Sequence, residues 1–150
     1  MGIILFTKQG FESLKKDLET EIAKRPLAVD SLKRGREMGD LSENGLYKAA
    51  KMELGSIDRQ IRHLKNLVVY GRISDPKDNN SIQLGHRVTV ETENGKKEFV
   101  IVGEWEANPK ENKISIKSPI GHNLMGRKVG DSIEIKTPQR NIFYKILSIG

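Results

Sequence analysis

Between residues 47 and 68 the apolar side chains fall at Tyr47, Ala50, Leu54, Ile57, Ile61, Leu64 and Val68, a strict alternation of three and four. That is the a/d pattern of a coiled-coil seam, and it confines the stretch to a long helix that needs a partner along its length. The partner lies upstream, where Phe11, Leu14, Leu18, Ile22, Val29 and Leu32 draw a second apolar stripe with a longer gap across polar Arg25. Thr7 is placed to cap it. Pro26 lacks a backbone N–H and clashes with the preceding turn, which predicts a kink within the helix rather than its end. Joined by a short turn around Gly39, the two helices fold back as an antiparallel hairpin. At about 27 residues each they would be roughly 40 Å long, so the turn lies far from the base.

The run SDPKDNN, residues 74–80, breaks the helical period with Pro, Asp and Asn. It divides a hairpin domain over residues 1–75 from a second domain over 80–150. Beyond it the period becomes two. HRVTVET, KEFVIVG, NKISIKS, DSIEIKT and IFYKILSI read as five strands separated by turn-forming stretches, with a helical turn near IGHNLMG. The expected class is α+β: a helical hairpin followed by a small twisted sheet.

The 26 Lys and Arg against 20 Asp and Glu leave a charge of +6, which favours an anionic partner, most simply nucleic acid. The absence of cysteine excludes disulfides, thiolate nucleophiles and Cys-based metal sites, while His63, His86 and His122 lack metal-ligand spacing. MGIILF is too short an apolar run for a signal peptide or a membrane span. A cytoplasmic monomer with no membrane partner is expected. Trp105 stands alone, and Phe99, Phe143 and Tyr144 sit on strand patterns that favour core packing, so no base-stacking platform emerges.

In MGDLSENGLY the carboxylates Asp40 and Glu43 stand three apart at the chain reversal. Two readings are open. Asp40 as N-cap of the second helix with Glu43 at N3 is a capping box. Alternatively, two hard oxygen donors on a tip serve a divalent cation. Mg²⁺ takes six oxygens, so the pair completes a site rather than making one, which points to chemistry inside another molecule's pocket. Arg36 and Lys51, with Lys33, Arg34 and Lys48, form a basic collar that is either a solvated helix face or a phosphate contact. No phosphate-binding loop and no nucleophile elbow is present.

Two stretches resemble one family. GDLSENGLYKAAK resembles the tip signature of the bacterial Gre transcript cleavage factors, and ISIKSPIGHNLMGRKVGDSIEIKTP resembles their C-terminal signature; the GreA type is the nearer. The resemblance implies a coiled-coil hairpin and an FKBP-like C-terminal domain that docks on bacterial RNA polymerase at the mouth of its secondary channel. The hairpin would enter that channel. By the same resemblance Asp40 and Glu43 match the acids that help hold a second Mg²⁺, kept mainly by the polymerase, and position water for cleavage of the 3′ end of a backtracked RNA. Arg36 and Lys51 match basic positions facing the extruded RNA, and Ser118, Pro119 and Ile120 the docking stretch. Such a factor is not an enzyme by itself. Gly45 and Leu46 depart from the usual Ala and Glu of the tip. Rival readings are a paralogue that modulates polymerase through the same channel without cleavage, and an FKBP-type peptidyl-prolyl isomerase.

Overall fold

The computed structural model describes residues 2–38 and 44–150. The chain is α+β, as expected: two long helices precede a β-sheet. Two compact units result, one of Glu12–Tyr70, the other of the residues through Phe11 together with Gly71–Gly150. Strand β1 (Ile4–Phe6) pairs in parallel with β2 (Gly71–Ile73), Leu5 opposite Arg72, and so the first residues join the C-terminal unit.

Helix α1 (Lys8–Glu37) is opened by Thr7, whose Oγ1 accepts from the Gly10 N–H at 3.1 Å. The Glu106 carboxylate completes this end, accepting from the Thr7 N–H (2.9 Å), the Thr7 hydroxyl and the Gly103 N–H (2.9 Å). An anion at a helix N-terminus meets orphan N–H groups and the positive end of the dipole. The helix passes through Pro26 without a break.

Helix α2 (Gly45–Tyr70) runs antiparallel to α1, with Arg25 opposite Asp58 and Gly35 opposite Tyr47. Ala50, Ile57, Ile61 and Leu64 are buried as the heptads predict, but at the base Leu67 is buried and Val68 only partly so. A helix of 3.6 residues per turn drifts against a strict 3.5 repeat, which moves the seam by about 20° per heptad. On α1 the stripe differs more. Ile22 is 45% exposed, and the buried or half-buried positions are Leu14, Leu18, Glu21, Ala28, Val29, Leu32 and Gly35. Ala28 packs with Ile57 and Ile61. Small residues at the seam let the backbones approach, and this decides the register over the larger Ile22.

In the other unit five strands, β3 (Arg87–Thr92), β4 (Gly95–Val102), β5 (Lys113–Ser115), β6 (Ser132–Lys136) and β7 (Asn141–Ile149), form one sheet in the order β5-β4-β3-β7-β6. All pairings are antiparallel except β4 with β5. Alternate residues, Val88 and Val90, Phe99 and Ile101, Ile133 and Ile135, Tyr144 and Ile146, build the core, and Leu124 of α3 (Pro119–Leu124) is buried in it. Phe143 is the exception to the expected aromatic packing. It lies on the opposite face of β7 from Tyr144 and is exposed.

Candidate functional site

The end of the hairpin is built by a close approach of backbones. A Cβ placed on Gly35 would lie 2.9 Å from Tyr47 Cα, so only glycine fits there without moving a helix. Beside it the Arg36 guanidinium sits over the Tyr47 ring, 6.0 Å from its centroid, at cation–π range. Lys51 is exposed one turn further along α2, at i+4 from Tyr47 and hence on the same face. Of the cations expected of the collar, Arg36 is the one set against this ring. Arg34 instead pairs with Asp30 at 2.7 Å on the exposed surface.

The acids Asp40 and Glu43 lie outside the described residues. What is described beside them corrects the capping-box reading. Helix α2 begins at Gly45, and the Asn44 Oδ1 accepts from the Tyr47 N–H at 3.2 Å, so Asn44 is the N-cap rather than Asp40. The Asn44 amide nitrogen in turn donates to the Gly35 carbonyl. Gly45 has open space around its missing Cβ, and Leu46 is exposed.

In the sheet unit the three residues of the expected docking stretch have different jobs. Ser118 caps α3: its Oγ accepts from the Gly121 N–H at 3.0 Å and donates to the Ser115 carbonyl at 2.7 Å. Ile120 packs against the core, while Pro119, first residue of α3, is exposed. Just upstream, a groove of about 350 Å³ is lined by Ile3, Leu5, Trp105 and Ile116 together with Glu104 and Lys117, which form an ion pair at 3.1 Å. Sequence reasoning left Trp105 isolated. The apolar run at residues 3–6 was the available signal, but only the pairing of β1 with β2 brings it to this surface.

Among the described residues no group of three or more His, Asp or Glu is arranged to hold a metal ion. The donor chemistry of Asp40 and Glu43 suits a hard cation such as Mg²⁺, yet two side chains leave most of its six positions to another molecule.

The family model described as "Transcription elongation factor, N-terminal" matches residues 4–73, and that of "Transcription elongation factor, GreA/GreB, C-term" matches residues 77–150. The chain belongs to the GreA/GreB family. It is 39% identical over 150 residues to the transcription elongation factor GreA of Thermosipho melanesiensis, covering 98% of this chain and 96% of that one. The GreA of Geobacillus kaustophilus is also 39% identical, over 148 residues, covering 95% and 94%. Among solved structures, GreA factor homologue 1 of Thermus thermophilus aligns over 99% of both chains at 28% identity with a TM-score of 0.47. A GreA/GreB protein of Nitrosomonas europaea aligns over 68% of this chain and 91% of its own at 19% identity, with a TM-score of 0.43. Within the GreA/GreB family the chain is thus a transcription elongation factor with both family domains in order.

Proposed function

We propose that this factor binds bacterial RNA polymerase, inserts its hairpin into the secondary channel and stimulates cleavage of backtracked transcripts. The observation that carries the reading is the cap. Asn44 holds the N-cap of α2, so Asp40 and Glu43, three apart in the sequence between the two helices of a basic chain, are not called for as its capping box. Asp40 and Glu43 are the residues that would hold a Mg²⁺ ion shared with the polymerase, which when bound supplies charge stabilisation and an activated water. Arg36 and Lys51 contact phosphates of the extruded RNA, and Pro119 presents the docking surface. Catalysis is divided between two proteins: the polymerase contributes the remaining ligands and the substrate, the factor the two carboxylates. By itself the factor is not an enzyme.

The test is a stalled, backtracked polymerase complex challenged with wild type and with Asp40→Asn combined with Glu43→Gln. These changes keep size and remove the negative charge that a hard cation prefers. Cleavage is expected to fall by about 10²-fold or more, with polymerase affinity and melting temperature unchanged and part of the loss restored by added Mg²⁺. A wild-type protein that binds polymerase and shortens no transcript would instead assign the chain to the modulating paralogues.

A further inference from the structure

We propose that the paired helices are two-sided near the turn, and that the side carrying Met38 and Leu46 is a protein-docking groove that seats an aliphatic side chain of RNA polymerase beside a polymerase Lys or Arg. The inference rests on the reading above, which sets the hairpin against polymerase. A groove of about 340 Å³ lies on this side. On each helix its lining residues follow the series i, i+3, i+4 and i+7, from Ser31 to Met38 and from Leu46 to Glu53, so each contributes one continuous stripe. Gly35 and Ala50 are the buried members of the two stripes. Successive residues of a helix are about 100° apart. Arg34 and Arg36 therefore stand on either side of Gly35, and Ala49 and Lys51 on either side of Ala50. Arg34 and Ala49 line the groove, while Arg36 and Lys51 lie across the seam from it.

The two sides differ in chemistry. Met38 and Leu46 are 63% and 60% exposed at the mouth of the groove, and its floor is shallow-sided because Gly35 and Ala50 are small. The Arg34 guanidinium is already held by Asp30 at 2.7 Å. Glu53 is exposed and has no ion-pair partner among the described residues. What the groove offers is apolar surface with one unmatched negative charge. A phosphate would meet the Glu53 carboxylate and lose water to apolar walls, which disfavours RNA. A protein segment with an aliphatic side chain next to a cation matches both features, as at an interface with an apolar centre and complementary charge at its rim. Across the seam Arg36 and Lys51 are exposed beside Tyr47, the arrangement that suits a phosphate chain. The hairpin would thus meet protein on one side and RNA on the other.

The test uses full-length protein carrying a photoreactive benzophenone side chain at Ala49 or, across the seam, at Lys51, bound to a purified backtracked polymerase complex with labelled RNA. Position 49 is expected to label a polymerase subunit and no RNA, and position 51 to label RNA. Met38→Ser combined with Leu46→Ser is expected to weaken competition for polymerase about tenfold, equally with and without extruded RNA and with little dependence on salt. Both side chains are exposed, so melting should move by no more than about 2 °C. Glu53→Gln is expected to weaken competition about twofold to fivefold at low salt, an effect that high salt removes. RNA labelled from position 49, no product from position 49 where position 51 labels RNA, or unchanged competition by either variant overturns the inference. So does a loss seen only when extruded RNA is present, which would assign the groove to RNA. These outcomes leave the cleavage reading intact. A wild type that binds polymerase and shortens no transcript overturns the cleavage reading and leaves the groove, and a wild type that does not bind polymerase overturns both.

Discussion

Ser118 and Pro119 are neighbours in the docking stretch, yet only one can report on docking. Ser118 holds the N-cap of α3, so Ser118→Ala is expected to cost about 1 kcal/mol of stability whatever it does to binding. Pro119 is exposed at the first helical position, where alanine is tolerated. Pro119→Ala should therefore weaken competition for polymerase by about tenfold with melting unchanged; equal competition would remove docking from this position. Gly121, between them and the core, has its own constraint, because a Cβ there would lie 1.9 Å from the Ser115 carbonyl oxygen. Gly45 has none. With nothing within 4 Å of its added Cβ, Gly45→Ala should raise stability by about 0.5 kcal/mol through the unfolded chain, read as a rise of about 2 °C in Tm.

At the scale of elements, the two hairpin helices are also joined at their exposed surface by Arg25. Its Nε–H donates to Asp58 Oδ1 at 2.8 Å, and this bond is the first cause holding the Asp58 carboxyl below its ordinary value of 3.8. Both side chains are substantially exposed. A carboxyl held below its unfolded value contributes stability that is present above that value and is lost as pH falls through the folded one. Asp58→Asn should accordingly be less stable than wild type near neutral pH. The gap in melting temperature should close on acidification below about 3.8 and narrow in high salt. A gap of equal size at about pH 7 and about pH 3 would show that the pair acts through shape alone. The apolar stripe read along α1 found Leu14, Leu18, Val29 and Leu32 but not Ala28 or Gly35, and it included the exposed Ile22. Ile22 is the larger side chain, but the facing helix selects Ala28 and Gly35, because close approach needs small residues and the 3.5 repeat from Leu14 and Leu18 leads to them.

At the scale of the whole molecule, every residue of the sheet core lies between Ile82 and Ile149, so a fragment of residues 80–150 should fold cooperatively, compete with the full-length protein for polymerase and stimulate no cleavage. It lacks β1, β2 and Thr7, and Glu106 then loses two of its three donors, which predicts a lower melting temperature than a form retaining them. A folded fragment that never competes would overturn docking through this unit. The α+β class, the two long helices, the five strands and the acidic pair were all readable from the chain, because each is written in local signals: a 3-4 period, a period of two, and residue types at short spacing. The β1–β2 pairing, the groove around Trp105, the α1 seam and the bridge from Asn44 to Gly35 were not. They join residues distant in sequence or choose between neighbouring side chains on one helix, and what makes that choice is how closely the facing backbone can approach, a quantity that exists only once both surfaces are in place.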